Sequence, residues 1–345
     1  MEIWQDIEKL GQELEDWPKV AIIVLNWNGW RDTIKCLESL CKQNYNSFEI
    51  FVLDNGSTDD SGTEIKNWLE KNIGPSIGLA TVLNVRGYAI CREYTSKIIT
   101  LLKSTVNSGF AEGVNIVIAY LLTQHERPSY IFLVNNDAQV EVDCLKKCVL
   151  TAQLSKASIV SPLIIDEKGK VLFNGGSAYW ELFFKYTKKR CPSNATYWAS
   201  DRAHGCAMLI DFELVERRFE EEGYLFVPQL FMYCEEIDLA FLGKRWHYKT
   251  VVTSATVVHH KAFGSSLSRC PTLPHYYWTR NRIFLARMYL PWYLRLVFYN
   301  VYGTLRILRI ITRVFARRKG QAMAIWEGLV DGYKGVTGQW RKHPR

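Results

Sequence analysis

The sequence predicts an α/β domain: an open, mostly parallel sheet with helices packed on its faces. Three observations predict it. Continuously apolar, β-branched runs recur at residues 20–25, 48–53 and 130–134. Each run stops abruptly in a cluster of polar residues. Helical periodicity fills the stretches between them. A strand that shows no alternation is buried on both faces, and that is the situation of a strand in a parallel sheet.

The elements follow in order. Residues 3–16 read as a short helix, so that 1–17 stand ahead of a main domain over 18–287. The first strand is Val20-Ala21-Ile22-Ile23-Val24-Leu25. Ile34, Leu37 and Leu40 share one face of a helix over 31–43. A second strand covers 48–53 and a helix covers roughly 60–72. Two apolar runs near 79–85 and 97–102 flank an Arg-Gly-Tyr turn, which predicts an inserted hairpin followed by a strand. A helix over 112–125, the strand at 130–134, a helix over 142–154 and a strand over 158–163 complete the regular part. This β-α-β-α alternation is the pattern of a sheet covered on both sides. There is no repeat, low-complexity segment or long linker, so one catalytic domain is expected.

Composition narrows the function. Apolar residues make up 48% and charged residues 23% of 345, as in an ordinary folded chain. The 12 Trp and 18 Tyr suit sugar stacking and membrane interfaces, and they also fill cores. The net charge of +8 is concentrated: residues 289–345 hold eleven Lys or Arg against Glu327 and Asp331, which leaves residues 1–288 near −1. A nucleic-acid-binding face is therefore not expected. The nine Cys are odd in number and lack any CxxC, which argues against a disulfide framework or structural zinc and for reduced thiols. The acidic N-terminus does not read as a signal peptide.

In open α/β sheets, ligands bind at the carboxyl ends of the strands. Here those ends carry Asn26-Trp27-Asn28-Gly29, Asp54-Asn55-Gly56-Ser57-Thr58-Asp59 and Asn135-Asn136-Asp137. Singly, each is also a good turn or helix N-cap. Three on one rim point to a polar ligand. Asp54 can accept hydrogen bonds from a nucleobase or ribose. Asp137 offers hard oxygens for Mg²⁺ or Mn²⁺ holding a diphosphate. Neither GxxxxGK[ST] nor a GxGxxG after the first strand is present, so neither a P-loop nor a standard dinucleotide site is expected.

Eight segments carry a family resemblance, in order: VAIIVLNWNG (20–29), VLDNGSTD (52–59), NSGFAEGVN (107–115), FLVNNDAQV (132–140), HGCAMLI (204–210), FMYCEEIDLA (231–240), VVHHKAFGSS (257–266) and YYWTRNRIFLARMYLP (276–291). The chain resembles family 2 inverting glycosyltransferases of the Rossmann-like GT-A fold, especially their rhamnosyltransferase-like branch. The resemblance implies a nucleoside-diphosphate-sugar donor, a glycan or lipid-linked acceptor, and Mg²⁺ or Mn²⁺. On the donor side it implies Asn26, Asn28, Asp54, Asn55, Asn107, Gly109, Phe110, Asn136, Asp137 and Arg280, with Gly113 also permitting close approach of backbone to ligand. Asp137 and His260 are the implied metal ligands, and Asn135 stands where many relatives have a first Asp. Gly205 and Cys206 would lie under the acceptor, with Asp238 beside it. Glu236 is the implied base, with Glu235 its neighbour and alternative, because the family pair is Glu-Asp.

The tail, 288–345, reads as basic and amphipathic. Arg306, Arg309, Arg313 and Arg317 fall on one helical face, and Leu308, Ile311, Val314 and Phe315 fall away from it. The longest charge-free stretch, 296–305, is too short to span a bilayer. The expectation is an interfacial helix on anionic lipid, in a cytoplasmic protein held peripherally on the inner face of the plasma membrane. Packing on its own domain or on a second copy of the chain, as a homo-oligomer, is the competing reading. A nucleotidyltransferase and a non-catalytic sugar-nucleotide sensor are the rival functions.

Overall fold

A computed structural model describes residues 16–184, 195–261 and 270–341. The helix expected over residues 3–16 lies outside them. The first half alternates as the sequence predicts: β1 (Val20–Asn26), α1 (Trp30–Leu40), β2 (Phe48–Asn55), α2 (Ser61–Asn72), β3 (Thr81–Val85), β4 (Tyr88–Thr95), β5 (Ile99–Ser104), α3 (Gly109–Leu122), β6 (Tyr130–Asn135), β7 (Ala138–Val140) and α4 (Cys144–Ser155). The second half is β8 (Ile159–Ile165), β9 (Val171–Phe173), α5 (Ala178–Phe183), β10 (Tyr197–Ala199), β11 (Ala207–Asp211), α6 (Phe212–Glu222), α7 (Glu235–Trp246), β12 (Thr250–His260), α8 (Leu273–Tyr289), α9 (Trp292–Phe315) and α10 (Lys319–Lys334).

The main sheet runs β10-β12-β8-β11-β6-β1-β2-β5-β4-β3. Its centre, β6-β1-β2-β5, is parallel throughout. Antiparallel β11 joins that block to the parallel pair β8-β12. Side chains alternate across the central strands. Ile22, Val24, Ile50, Val52 and Phe132 pack into one core with Cys36 and Leu37 of α1. Ala21, Ile23, Phe51, Leu53 and Ile131 pack into a second core with Val114 and Val117 of α3. Each fully buried aliphatic side chain contributes about 1.5–3 kcal/mol. The expected hairpin is β3-β4, closed by Arg86 and Gly87, both at positive φ as its tight turn requires.

Register fixes the rim. Asn26 lies opposite Asp54, and Leu25 opposite Asn135, so the three polar clusters end at one level. At the far side, β7 pairs antiparallel with the end of β12 and sets His260 opposite Ala138, beside Asp137.

The C-terminal helices are tied to this body. α10 lies close along α8 because Gly328 and Gly332 remove side chains from the contact: a Cβ on Gly328 would come within 2.6 Å of the Tyr276 carbonyl oxygen. Tyr276 stacks on Trp340 at 4.4 Å and donates to Asp331 at 2.6 Å. α9 extends from Pro291 and buries only Phe298, Tyr302 and Gly303. It ends at Phe315, so Arg317 falls beyond it and does not continue the row of Arg306, Arg309 and Arg313. Among the described residues, no helix is long and apolar enough to cross a membrane.

Candidate active site

Hydrogen bonds lock the rim together. Asn26, fully buried, donates to Asp54 Oδ1 at 2.9 Å and to Ser57 at 3.1 Å. Its oxygen accepts from Thr33 and from the Gly29 N–H. Asn136 donates to the same Thr33 hydroxyl at 3.0 Å. Asn28, at φ +53°, accepts from the N–H groups of Thr58 and Asp59, which joins the first loop to the second. Asn55 donates to the Gly109 carbonyl and accepts from Ser108, which joins β2 to the start of α3. Asn107 accepts from the Gly109 N–H at 2.9 Å.

Within this frame Asp54 keeps one oxygen in reserve. Oδ1 accepts from Asn26 and Ser57, whereas Oδ2 is buried without a hydrogen-bond partner. Burial raises the pKa of this carboxyl, opposed by the Ser57 and Asn26 hydrogen bonds and by Lys103. A buried acceptor left open suits an N–H or O–H donor brought by a ligand.

Asp137 and His260 converge, with Asp137 Oδ1 3.2 Å from His260 Nε2. Burial disfavours the charged imidazole, but Cys206 and then Asp137 outweigh burial and raise its pKa to about 11. Burial raises the pKa of Cys206 in turn. His204 is held well below its usual range by burial, then by Arg202 and His260, and its Nδ1 accepts from the Cys206 N–H at 3.0 Å. One carboxylate and one imidazole fit a divalent cation whose other positions are filled by diphosphate oxygens and water. Among the described residues no group of three or more His, Cys, Asp or Glu could hold an ion by itself.

The far end of the rim holds the acid pair. Both residues open α7, behind Cys234 in a left-handed conformation. Glu235 points inward, 4% exposed, with Oε1 unpartnered. Burial and then the Glu236 charge raise its pKa well above the usual glutamate value. Glu236 points outward, with its side chain 22% exposed, and pairs with Arg202 at 3.4 Å. Arg202 also pairs with buried Glu181. A Cβ on Gly205 would meet only Glu236 Oε2, at 3.8 Å, so the Gly205 surface faces that carboxylate. Contacts thus run from Asp54 through Asn26, Thr33 and Asn136 to Asp137 and His260, whose ring lies 6.1 Å from that of His204, next to Gly205.

Residues 21–78 and 86–219 match the model of the family described as glycosyl transferase family 2. The chain belongs to that family. The low-salt glycan biosynthesis hexosyltransferase Agl10 of Haloferax volcanii is 28% identical over 141 residues, 40% of this chain and 44% of Agl10. The matched segment therefore spans less than half of that relative. Two solved structures share the GT-A fold. The mannosyltransferase PcManGT from Pyrobaculum calidifontis, in complex with GDP-Man and Mn²⁺, superposes with a TM-score of 0.54 at 14% identity, covering 99% of this chain and 94% of that one. GalNAc-T7 with UDP, GalNAc and Mn²⁺ gives 0.53 at 14% identity, over 70% of this chain and 43% of that one.

Several residues that the family 2 resemblance nominates as ligands serve the protein instead. Asp238 is fully buried, 2.8 Å from Arg218 Nη1 and bonded by the Tyr289 hydroxyl, so it cannot touch an acceptor. Arg280, 1% exposed, spends its guanidinium on the carbonyls of Gln229, Leu230 and Gly338 and on Asn281, and is not available to a diphosphate. Gly109 is required by Phe231, whose carbonyl a Cβ would overlap, and a Cβ on Gly113 would press on the Leu25 and Asn55 side chains. Phe110 packs at 6.0 Å from Phe226 within the second core. The Cys206 side chain, 1% exposed, faces His260, not an acceptor. Asn26, Asn28, Asn55, Asn107 and Asn136 all take part in hydrogen bonds within the rim. Arg202, Glu181 and His204 are site residues that sequence reasoning missed. Arg202 and Glu181 lie in no motif, and the only signal for His204 was its place beside Gly205.

Proposed function

We propose that the chain is an inverting glycosyltransferase that moves a sugar from a nucleoside-diphosphate donor, a UDP-hexose or dTDP-rhamnose, to a hydroxyl of a glycan or lipid-linked acceptor. The observation that carries this reading is the run of contacts from the unpartnered oxygen of Asp54 to Asp137 and His260, with the half-buried carboxylate of Glu236 against Gly205 beyond them. Family membership and the sugar-nucleotide complexes of PcManGT and GalNAc-T7 support it.

Each group then has a role. Asp54 Oδ2 accepts from the nucleobase. Asp137 and His260 would hold Mg²⁺ or Mn²⁺, which neutralises charge on the departing nucleoside diphosphate. Glu236 takes the proton from the acceptor hydroxyl as its oxygen bonds to the anomeric carbon. The bond from that carbon to the diphosphate breaks on the opposite side, so the configuration inverts. Arg202, itself oriented by Glu181, fixes the Glu236 carboxylate. Glu235, buried and with its pKa raised, is less suited to be the base than Glu236.

The exposed face of α9 supports a peripheral membrane site on the cytoplasmic leaflet. Tyr293, Leu296, Val297, Leu308, Ile311 and Phe315 are all exposed there. Exchange of Glu236 for Gln is the decisive experiment. Turnover should fall by about 10²–10⁴-fold, while nucleotide-sugar donors still protect the variant against heat. Wild-type turnover in that variant would sink the assignment. A donor panel with and without Mn²⁺, read by thermal protection, identifies the sugar nucleotide.

A further inference from the structure

The chain enters α7 through a turn that side chains resist. Phe231, Tyr233 and Cys234 have φ of +63°, +68° and +77°. In that region Cβ crowds a neighbouring carbonyl oxygen, and residues 229–236 contain no glycine to relieve it. Phe231 has ψ −57°, and the Met232 N–H donates to the Leu230 carbonyl at 2.8 Å. That is a γ-turn of the rare, strained hand.

Strain of this kind persists only where the surroundings over-determine it. Two elements grip the turn. From α8, Asn281 Nδ2 donates to the carbonyls of Leu230, Met232 and Tyr233 at 3.0, 2.8 and 2.7 Å. Arg280 sets that amide the right way round, since its Nε and Nη2 both donate to Asn281 Oδ1. The Phe231 ring stacks on Tyr277 of the same helix at 5.6 Å. From α3, the Ala111 N–H donates to the Phe231 carbonyl at 3.2 Å, in the space that Gly109 leaves open.

The turn delivers the orientation of the acid pair. Glu235 and Glu236 are the first two residues of α7. Successive residues on a helix stand about 100° apart. A helix start displaced by one residue would therefore exchange the two acids, turning Glu235 towards Gly205 and Arg202 and burying Glu236. Asn281, 0% exposed, touches neither carboxylate, and its donors are spent on the main chain that sets them.

We propose that Asn281, oriented by Arg280, is a positioning residue for Glu236: it holds the 231–234 turn in its strained form and so fixes which acid of the pair faces the acceptor. The proposal rests on the reading of Glu236 as the base.

The test is steady-state kinetics on the full chain, with donor protection against heat measured beside it. Asn281→Ala should lower kcat by about 10²-fold, the scale of a misplaced catalytic group, and leave acceptor KM and donor protection as in the wild type. Cys234→Gly is then added to it. Glycine takes φ +77° without strain. Relief of one left-handed residue shifts the balance towards the working turn by about tenfold, so the double variant should recover that much of kcat. Wild-type kcat in Asn281→Ala would overturn the proposal. So would a loss that Cys234→Gly does not relieve, or one matched by an equal loss of donor protection. If Asn281→Ala does not fold, Cys234→Gly is compared with the double variant, which should turn over about tenfold more slowly; equal kcat would overturn the proposal. Glu236→Gln, read in parallel, separates the failures. Wild-type turnover there removes the base assignment itself, whereas an inactive Glu236→Gln beside a fully active Asn281→Ala removes only the role of Asn281.

Discussion

Replacing Asp238 with Asn tests whether this acid belongs to the acceptor site or to the core. Arg218 and Asp238 are both fully buried, 2.8 Å apart, in a contact that is close but poorly directed for a hydrogen bond. At that separation the attraction is about 6 kcal/mol with an effective dielectric near 20. Not all of it is lost in the variant. Glu222, 3.3 Å from Arg218, remains as a partial counter-charge, and the Asn oxygen still accepts from Tyr289. A net loss of about 3 kcal/mol is expected, because what remains is a largely buried guanidinium with its nearest partner neutralised. For a chain of this size that corresponds to a fall in melting temperature of roughly 4 °C.

The assay is thermal melting followed by circular dichroism, with acceptor KM measured well below the transition. The reasoning requires a lower melting temperature and an unchanged KM. A double variant, Arg218→Met with Asp238→Leu, should recover most of the loss, since it removes both charges. A shift under about 1 °C together with a raised acceptor KM would refute the argument and return Asp238 to the acceptor site.

Glu235→Gln should be tolerated and should become more stable than the wild type as pH rises. The folded Glu235 carboxyl titrates well above its unfolded value, so its contribution is complete below the usual glutamate pKa and drains away as pH climbs through the folded one. Urea midpoints between about pH 5 and pH 9 should diverge, and parallel midpoints would contradict a buried neutral acid. Gly109→Ala should lose about 2–3 kcal/mol, because the site combines φ +83° with a Cβ that would overlap the Phe231 carbonyl; chemical denaturation measures it. Chelation with EDTA should remove most donor protection against heat, and Asp137→Asn should make the protein indifferent to added Mn²⁺. Full donor protection in EDTA would exclude a metal-held diphosphate.

The parallel centre of the sheet was legible because burial on both faces leaves an unmistakable mark, an unbroken β-branched run. Strand β12 was harder to bound. It is 11 residues long, carries a register shift between Thr253 and Val257, and mixes Thr and Ser with Val. The rim clusters were legible as a group, but the division of labour within them was not. Asn26 and Asp54 look equally suited to a ligand in the sequence. Only the register that sets them opposite each other reveals that one is used up in holding the other. Arg280 failed for the same reason. A motif position tells which side chain is present, not how many carbonyls surround it, and three carbonyls and Asn281 consume this guanidinium.

That division of labour bears on the departure at Asn135. If the rim asparagines were ligands, a further Asn would simply join them, and the missing acid would be a loss. They are instead a rigid lattice that fixes Asp54 and sets Asn136, hence Asp137, in place through Thr33. Asn135 itself is held through its backbone, its N–H donating to the Cys206 carbonyl at 2.8 Å and its carbonyl lying 3.6 Å from Cys36 Sγ. With one carboxylate, a metal would be held by Asp137 together with His260, which the β7–β12 pairing brings to 3.2 Å from it. An imidazole in place of an oxygen would shift preference from Mg²⁺ towards Mn²⁺. His260→Ala should therefore reduce Mn²⁺-dependent donor protection more than it reduces any Mg²⁺-dependent protection, and equal losses would argue that the histidine only positions Asp137.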